Sequence, residues 1–411
     1  MAPGATPGYG QNTMKQYKYM IIGGGMAADA AVKGIRAVDS NGTIGIVGAE
    51  PDPPYARPPL SKGLWKGDKK LDAIDCGTEQ KGAELLCGRR AVSLSPGQHE
   101  VGDDRGTVYR YERLLLATGG APRRLPIEGA DEQVLYYRTR ADYLRLRKLA
   151  ETADHIAVLG GGFIGAELAA ALRLNDKRVT MVFPESGICG LMLPGGFAAR
   201  LNRYYEDRGV TVVTGNKPSA IESDHGVPAV RLENGHVFSV DGIVAGIGVT
   251  PATNLAAQAG LEVDDGIVVD DRLKTRDADV FAAGDVARYP DAVLKKRRRV
   301  EHEDNALTMG ERAGRNMAGE DRPYDHLPFF YSDLFDAGYE AIGETHPSYE
   351  TVTDLESPED KGCIFYTHNG RVRGIVFWNL FGQVDAGREL IAAEKPHSKD
   401  ALRAWQKEHG D

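Results

Sequence analysis

Apolar segments and the glycine-rich turns between them predict two copies of one structural unit. In the first copy, an apolar strand over Tyr17–Ile22 precedes a helix over Met26–Val38 and a strand over Thr43–Gly48. A strand, a helix and a parallel strand within about thirty residues are typical of a Rossmann unit. The same order returns later, as a strand over His155–Leu159, a helix over Phe163–Leu174 and a strand over Arg178–Phe183. We therefore expect two dinucleotide-binding domains in one chain.

A glycine-rich turn connects the first strand of each unit to its helix. The turns are Gly23–Ala28, which reads GGGMAA, and Gly160–Gly165, which reads GGGFIG. In this pattern the first glycine allows a tight turn, the second lets a pyrophosphate approach the backbone, and the third position needs a small side chain. The unpaired N–H groups at the start of the following helix favour phosphate.

An acidic residue follows the second strand of each unit, where a ribose would lie. Glu50 and Glu185 each stand about 20 residues beyond their turns, the spacing typical of ribose-binding carboxylates. No Arg or Lys lies between Pro184 and Pro194 to hold a 2′-phosphate, so the second unit is predicted to prefer NADH to NADPH. A glycine turn without a ligand is the alternative interpretation, and the carboxylates argue against it.

The remaining apolar strands indicate how the domains are arranged. We expect a first dinucleotide-binding domain over residues 17–140 and 247–320, with the second domain inserted over residues 141–246. Residues 321–411 contain short strands and terminal helices, and are predicted to form a C-terminal α+β interface domain. Residues 1–16, rich in Gly and Pro, are predicted to be a disordered tail. The fold class is therefore α/β.

Composition narrows the class of protein further. The 411-residue chain has a net charge of -9, which argues against general nucleic-acid binding. No apolar run is long enough to span a bilayer, and no targeting segment is recognisable. The cysteines have neither Cys-x-x-Cys nor metal-ligand spacing, so we expect no disulfide framework, no metal site and a reducing, cytoplasmic location. They are Cys76, Cys87, Cys189 and Cys363.

The order of these motifs resembles that of the flavoprotein pyridine-nucleotide oxidoreductases, which are glutathione-reductase-like proteins with an FAD domain first and an inserted NAD(P) domain. The segment Pro54–Lys62 is similar to the one beside the flavin in their ferredoxin reductase and apoptosis-inducing factor branch. Three segments resemble apoptosis-inducing factor in particular, namely Arg297–His302, Phe330–Leu334 and Ala337–Gly343. The resemblance implies FAD at the first turn, NADH at the second, and hydride transfer between them.

The resemblance also implies which residues form the sites. FAD would contact Gly23, Gly25, Met26, Ala27, Ala28, Glu50, Arg57, Lys62, Ala91, Ala117, Thr118, Gly119, Gly284, Asp285, Glu301, His302 and Tyr331. NAD would contact Gly160, Gly162, Phe163, Ile164, Gly165, Glu167, Glu185, Gly246 and Gly248. The catalytic set would be Lys62, Glu167, Phe163, His302 and Tyr331.

The resemblance gives each member of the catalytic set a role. Lys62 would lie near flavin N5 and pair with Glu167, although either residue alone is more often a solvated surface charge. Phe163 would cover the nicotinamide or the empty flavin face, with simple packing as the alternative. His302 would approach the pyrimidine end of the flavin, and Tyr331 would stack beside its ring system.

Two functions remain open at this stage. Because the chain lacks a redox-active cysteine pair, electrons would leave the flavin directly for an iron–sulfur protein, a quinone or oxygen. The first function is an NADH-dependent reductase of ferredoxin or rubredoxin. The second is a redox sensor like apoptosis-inducing factor, with slow turnover, a long-lived charge-transfer complex and a reduced form that dimerises. The cationic run Lys295–Arg299 is either a solvated loop or a docking patch for an acidic carrier.

Overall fold

The structure of the protein, a computed structural model, describes residues 14–224 and 226–410. The first strand begins earlier than expected, at Met14, and runs to Ile22. It pairs in parallel with Val108–Leu116 from its first residue onward, and Lys15 forms an ion pair with Glu84 at 2.6 Å. Residues 14–16 therefore belong to a sheet rather than to a disordered tail. The rest of the predicted tail, residues 1–13, lies outside the described residues.

The first domain is built on a seven-stranded sheet. Val280–Ala282, from the later part of the chain, pairs in parallel with Leu114–Leu116 and joins the two halves of the domain. The other strands follow in the order Glu84–Cys87, Ile44–Gly48, Met14–Ile22, Val108–Leu116, Glu100–Asp103 and Ala91–Ser95. Short helical segments connect them at Pro58–Ser61, Gly63–Lys66, Asp72–Ile74, Glu79–Lys81, Pro96–Gln98 and Gly284–Val286.

Two helices pack unusually closely on one face of this sheet. They are Met26–Arg36 and Glu303–Met317. A Cβ atom at Gly310 would lie 2.4 Å from the carbonyl oxygen of Ala27, and one at Gly314 would lie 2.1 Å from that of Ala31. The two backbones can approach this far only because these positions are glycine.

The second domain has a parallel five-stranded sheet. Its order is Val210–Val213, Arg178–Val182, His155–Leu159, Gly242–Ala245 and Val134–Tyr136. The last of these strands lies before the expected boundary at residue 141, because it pairs with Gly242–Ala245 and not with the first sheet. The helices are Ala130–Gln133, Arg140–Thr152, Phe163–Leu174 and Gly195–Glu206, and an antiparallel sheet is formed by Pro218–Asp224, Val227–Leu232 and Val237–Ser239.

The chain crosses between these two domains through a pair of short strands. Gly120–Pro122 on the outward crossing pairs antiparallel with Val249–Pro251 on the return. The returning chain then forms the helix Asn254–Gln258 and a small sheet of Ile267–Val268, Ala287–Asp291 and Lys296–Arg298. The chain thus leaves the first domain and returns to it at the same place.

The C-terminal domain is an antiparallel sheet with two terminal helices. The strand order is Phe329–Leu334, Ala337–Gly343, Arg371–Trp378, Gly362–His368 and Glu350–Thr353, and the helices are Val384–Ala392 and Lys399–His409. The sheet packs on the second domain through aromatic rings: those of Phe197 and Trp378 lie edge to face with centroids 4.8 Å apart. No described helix is both long and apolar enough to cross a membrane.

Candidate dinucleotide and redox site

The first glycine turn forms an open cradle at the start of a helix. Gly23 has a φ of +118°, and a Cβ there would lie 2.1 Å from the carbonyl oxygen of Ala117. A Cβ at Gly25 would meet nothing within 4 Å, and no side chain caps the helix Met26–Arg36 that follows. The unpaired N–H groups at that helix start are therefore accessible to an anionic group.

The second glycine turn has the same construction. Gly160 has a φ of +115°, and a Cβ there would lie 2.4 Å from the carbonyl oxygen of Gly246. Gly165 packs directly on the turn, since its Cβ would lie 2.0 Å from the carbonyl oxygen of Gly160. Gly162 faces open space, and the helix Phe163–Leu174 has no side-chain cap. Both cradles fit a dinucleotide pyrophosphate.

The two predicted ribose carboxylates have different surroundings. Glu50 forms an ion pair with Arg57 and accepts a hydrogen bond from the Tyr55 hydroxyl. Burial raises the pKa of Tyr55 above its usual value, so this hydroxyl stays protonated. Glu185 is half-buried just beyond the strand Arg178–Val182, and its carboxylate has no hydrogen-bonding partner within the described part of the chain.

A cation that the sequence did not point to stands beside the first cradle. Arg138 Nη2 lies 2.6 Å from Asp285 Oδ2, and Arg57 Nη1 donates to the carbonyl oxygen of Arg138 at 3.0 Å. Gly284, adjacent to Asp285, packs against the turn, since its Cβ would lie 3.0 Å from that of Ala27. Two guanidinium groups thus stand near the place where a diphosphate would bind.

The other predicted backbone positions form the surroundings of the cradles. Thr118 donates to the carbonyl oxygen of Ala252 at 2.8 Å, and Gly119 has a φ of +63°, so both fix the crossing between the domains. Gly248, with a φ of +94°, lies beside the side chain of Arg123. Ala91 is the first residue of the strand Ala91–Ser95, which forms one edge of the first sheet.

The expected ion pair between Lys62 and Glu167 is present and buried. The Lys62 Nζ–Glu167 Oε1 distance is 2.7 Å, and the two side chains are 11% and 2% exposed. The ammonium group also lies 4.8 Å from the ring centroid of Tyr331, within cation–π range. The Tyr331 hydroxyl donates to Glu303 at 3.0 Å, which fixes the ring, and burial together with Glu303 raises its pKa above the usual value.

Aromatic rings line the next part of the site. Phe163 packs against Phe330 with centroids 5.0 Å apart, and Phe330 packs against His302 at 4.5 Å. Phe163 is 38% exposed, a large fraction for a phenyl ring. Phe330 was not among the predicted site residues, although the resembling segment that contains it could have indicated it.

His302 has an unsatisfied polar atom. Its Nδ1 is buried without a hydrogen-bond partner among the described residues. Burial, with a smaller contribution from Arg298, lowers the pKa of His302 to about 3, so the ring is neutral near pH 7. A buried polar atom of this kind normally has a partner. The orphaned nitrogen therefore fits a polar ligand edge, such as that of a flavin.

The cations of the run Lys295–Arg299 are already engaged. Arg299 pairs with the predicted FAD contact Glu301 at 2.7 Å, and donates to the carbonyl oxygen of Asp285 at 3.1 Å. Lys295 pairs with Glu394, Lys296 with Glu344, and Arg298 with Asp291. Arg297 donates a hydrogen bond to the carbonyl oxygen of Val269. The run is therefore much less of a cationic patch than its sequence suggests.

The four cysteines are poorly suited to redox chemistry. All are free thiols, and Cys189 and Cys363 are buried. Burial raises the pKa of Cys76 to about 11, and those of Cys189 and Cys363 to about 12. Because the thiolate is the reactive form, thiols with such pKa values are nearly inert at neutral pH.

The chain matches known proteins along almost its whole length. A family model described as pyridine nucleotide-disulphide oxidoreductase matches residues 17–310, and one for the C-terminal part of mitochondrion-associated apoptosis-inducing factor matches residues 313–356. The chain is 35% identical over 419 residues to apoptosis-inducing factor 1 of Dictyostelium discoideum, covering 92% of this chain and 79% of that protein.

Two reductases and a solved structure show similar agreement. Monodehydroascorbate reductase 3 of Arabidopsis thaliana is 33% identical, with 88% of this chain and 89% of that protein covered. The ferredoxin reductase subunit of a Sphingobium 5,5′-dehydrodivanillate O-demethylase is 30% identical, with 95% and 96% covered. The covalent putidaredoxin reductase–putidaredoxin complex superposes with a TM-score of 0.87 at 27% identity, covering 94% of this chain and 95% of that one.

The fold and the two glycine-turn cradles are those of a protein that binds two dinucleotides. The chain belongs to the pyridine nucleotide-disulphide oxidoreductase family, in its apoptosis-inducing factor and ferredoxin reductase branch. It is an FAD-dependent oxidoreductase that uses a nicotinamide nucleotide and transfers electrons to an acceptor. The two open cradles and the orphaned nitrogen of His302 fit these cofactors.

Proposed function

We propose that this protein takes a hydride from NADH onto FAD and passes the electrons to an iron–sulfur carrier of the ferredoxin or rubredoxin kind. The observation that carries the proposal is the buried ion pair of Lys62 and Glu167. It joins the segment after the first Rossmann-like unit to the helix that follows the second glycine turn. Such a link supports a site where the reactive ends of two dinucleotides meet.

The chain's own side chains would orient and shield the reacting groups. When bound, FAD supplies the hydride-accepting and electron-releasing chemistry. Lys62 holds a positive charge where negative charge develops, an effect that is strong in a dry, preorganised site. Phe163 and Phe330 form an apolar surface that excludes water, and neutral His302 offers its Nδ1 to a polar edge.

The proposed cofactor positions follow the two cradles. FAD would lie along the turn Gly23–Ala28, with Arg57 and Arg138 close to its diphosphate. NADH would lie on the turn Gly160–Gly165, with its ribose at Glu185. A carboxylate without a cationic partner favours a 2′-hydroxyl and disfavours a 2′-phosphate, which is why we propose NADH rather than NADPH.

The acceptor is proposed from relatives and from chemistry. A Sphingobium relative is named as a ferredoxin reductase subunit, and a similar solved structure is a complex with putidaredoxin. The raised pKa values of the cysteines argue against a thiol acceptor within this chain. Quinone and oxygen are the competing acceptors. We do not propose docking at Lys295–Arg299, because Lys296–Arg298 is a strand rather than a solvated loop and the cations of the run are already paired.

Anaerobic titration with NADH, followed by addition of acceptors, tests the proposal. We expect the flavin to be reduced by one equivalent of NADH and to be reoxidised rapidly by a ferredoxin, read out as cytochrome reduction. Slow reoxidation by every carrier, quinone and oxygen would contradict a reductase. A purified protein that binds no FAD on reconstitution would overturn the proposal altogether.

A redox sensor resembling apoptosis-inducing factor is the second candidate. The observation that favours it is the match of residues 313–356 to the C-terminal region of that protein, together with the 35% identity to the Dictyostelium relative. In that case NADH would leave a persistent long-wavelength absorbance band, and the reduced protein would sediment as a homodimer. Rapid turnover without a change in sedimentation would exclude the sensor.

A further inference from the structure

The carboxylate of Glu167 accepts hydrogen bonds from two serine hydroxyls in addition to its ion pair with Lys62. Ser61 Oγ donates to Oε2 at 2.5 Å, and Ser332 Oγ donates to Oε1 at 2.6 Å. Ser61 belongs to the first domain and Ser332 to the C-terminal sheet, whereas Glu167 belongs to the second domain. Hydrogen bonds to this one buried carboxylate thus join all three domains, with donors from the first and C-terminal domains and the acceptor from the second.

The burial of this cluster makes the two hydroxyls energetically important. Ser332 is fully buried, and Ser61 and Glu167 are 4% and 3% exposed. A buried carboxylate needs hydrogen bonds to most of its lone pairs, since a single ion pair does not compensate for lost hydration. With Lys62 on Oε1 alone, the other oxygen would lack a partner. Ser61 supplies that partner, and Ser332 shares Oε1 with Lys62.

The hydroxyls also determine where the ammonium group of Lys62 can lie. A carboxylate held only by a lysine can rotate about its terminal torsion, and the flexible lysine follows it. Donors on both oxygens, from two segments far apart in the chain, fix this rotation. Lys62 Nζ is then fixed 2.7 Å from Glu167 and 4.8 Å from the Tyr331 ring centroid.

We propose that Ser61 and Ser332 are positioning residues that hold the Lys62–Glu167 pair in the geometry that sets the reduction potential of the bound flavin. This inference rests on the proposed FAD site. It gives the C-terminal domain a part in the redox chemistry, because Ser332 reaches the pair from that domain. Neither hydroxyl needs to contact cofactor or substrate.

The flavin midpoint potential of purified holoenzyme tests this inference. In Ser332→Ala and Ser61→Ala we expect the potential to fall by about 30 mV, which is a tenfold change for a two-electron couple. The rate of flavin reduction by saturating NADH should fall about tenfold with little change in KM, as expected for an interaction that matters mainly in the transition state. Ser332→Thr keeps the hydroxyl and should restore both values.

A matched control separates positioning from general loss of packing. Thr367 is also a buried hydroxyl in the C-terminal sheet, and it donates to the carbonyl oxygen of Glu350 at 3.2 Å. Thr367→Val should lower stability without moving the potential. If both serine variants bind FAD with an unchanged potential, the inference is overturned while the proposed function stands. If the wild-type protein binds no FAD, the proposed function itself fails.

Discussion

Arg138 and Asp285 form an ion pair at 2.6 Å although 147 positions separate them in the chain. Arg138 lies between the strand Val134–Tyr136 and the helix Arg140–Thr152 of the second domain, and Asp285 follows the strand Val280–Ala282 of the first. The pair therefore lies beside Gly119 and Gly284, which border the first glycine turn. Its position beside Arg57 makes it a candidate determinant of diphosphate binding.

Replacing this arginine should weaken FAD binding. In Arg138→Met we expect the Kd for FAD to rise at least tenfold, which corresponds to about 1.4 kcal/mol, because a cation beside the proposed diphosphate site is lost and Asp285 is left uncompensated. Ultrafiltration of released flavin measures the effect. Arg124→Met removes a comparable ion pair to Asp131 on the surface and should change nothing. Equal Kd values in both variants would contradict the role of Arg138.

Removing the buried lysine should slow flavin reduction selectively. In Lys62→Met we expect the rate of reduction by NADH to fall about 10²-fold, the usual loss when one preorganised electrostatic donor is removed. Stopped-flow absorbance measures that rate. The nearby Lys66 pairs with Asp333 at 3.6 Å at the surface, so Lys66→Met serves as the control. A similar loss of rate in both would show that general charge, rather than the buried position, is what matters.

The carboxylate at residue 185 should control the choice of nicotinamide nucleotide. In Glu185→Ala we expect the ratio of kcat/KM for NADH over NADPH to fall about tenfold, since a ribose acceptor is lost and repulsion of a 2′-phosphate is relieved. Steady-state kinetics with both nucleotides give the ratio. Glu151→Ala, an exposed carboxylate in the same domain, should leave it unchanged. An unaltered ratio in the first variant would refute the NADH assignment.

The buried histidine should make stability depend on pH in mild acid. The pKa of His302 falls from 6.5 to about 3 on folding, so the unfolded chain binds one more proton between these values. The free energy of unfolding should therefore decrease as pH falls from about 6.5 to about 3, by about 1.4 kcal/mol per pH unit from this group. In His302→Gln, the contribution of this group to the dependence of the unfolding free energy on pH should be lost. Urea unfolding at several pH values measures it, and identical slopes would contradict the assignment.

The helix contact in the first domain should not tolerate a methyl group. In Gly314→Ala the new Cβ would lie 2.1 Å from the Ala31 carbonyl oxygen, so we expect a loss of about 1–3 kcal/mol from overpacking. Thermal or urea unfolding measures it. Gly196 is also helical but has nothing within 4 Å of its Cβ position, so Gly196→Ala should be neutral or slightly stabilising. Equal changes in the unfolding free energy of the two variants would mean that the helices Met26–Arg36 and Glu303–Met317 can move apart easily.

Elements with local signals were predictable from the sequence. The glycine turns, their strands and helices, and the motif that contains Lys62 depend on residues close together in the chain. The strand Val134–Tyr136 was assigned to the wrong side of a boundary because a three-residue apolar run does not indicate which sheet it joins.

Several site features depend on contacts between distant segments. Arg138, Phe330 and Ser332 were missed because their partners lie in other domains. The cations of Lys295–Arg299 looked unpaired for the same reason, since partners such as Glu344 and Glu394 come from the C-terminal domain. Side-chain pairing across domains carries no signature of spacing or periodicity in a single sequence.

The paired crossing strands Gly120–Pro122 and Val249–Pro251 make the nucleotide domain an exchangeable module. Its two ends leave the first domain side by side, joined by backbone hydrogen bonds, so its removal would leave only a short gap to close. A relative's domain grafted at these strands would need no new linker. Only the contacts that such a module makes with its neighbours, Glu167 foremost among them, would have to be carried along.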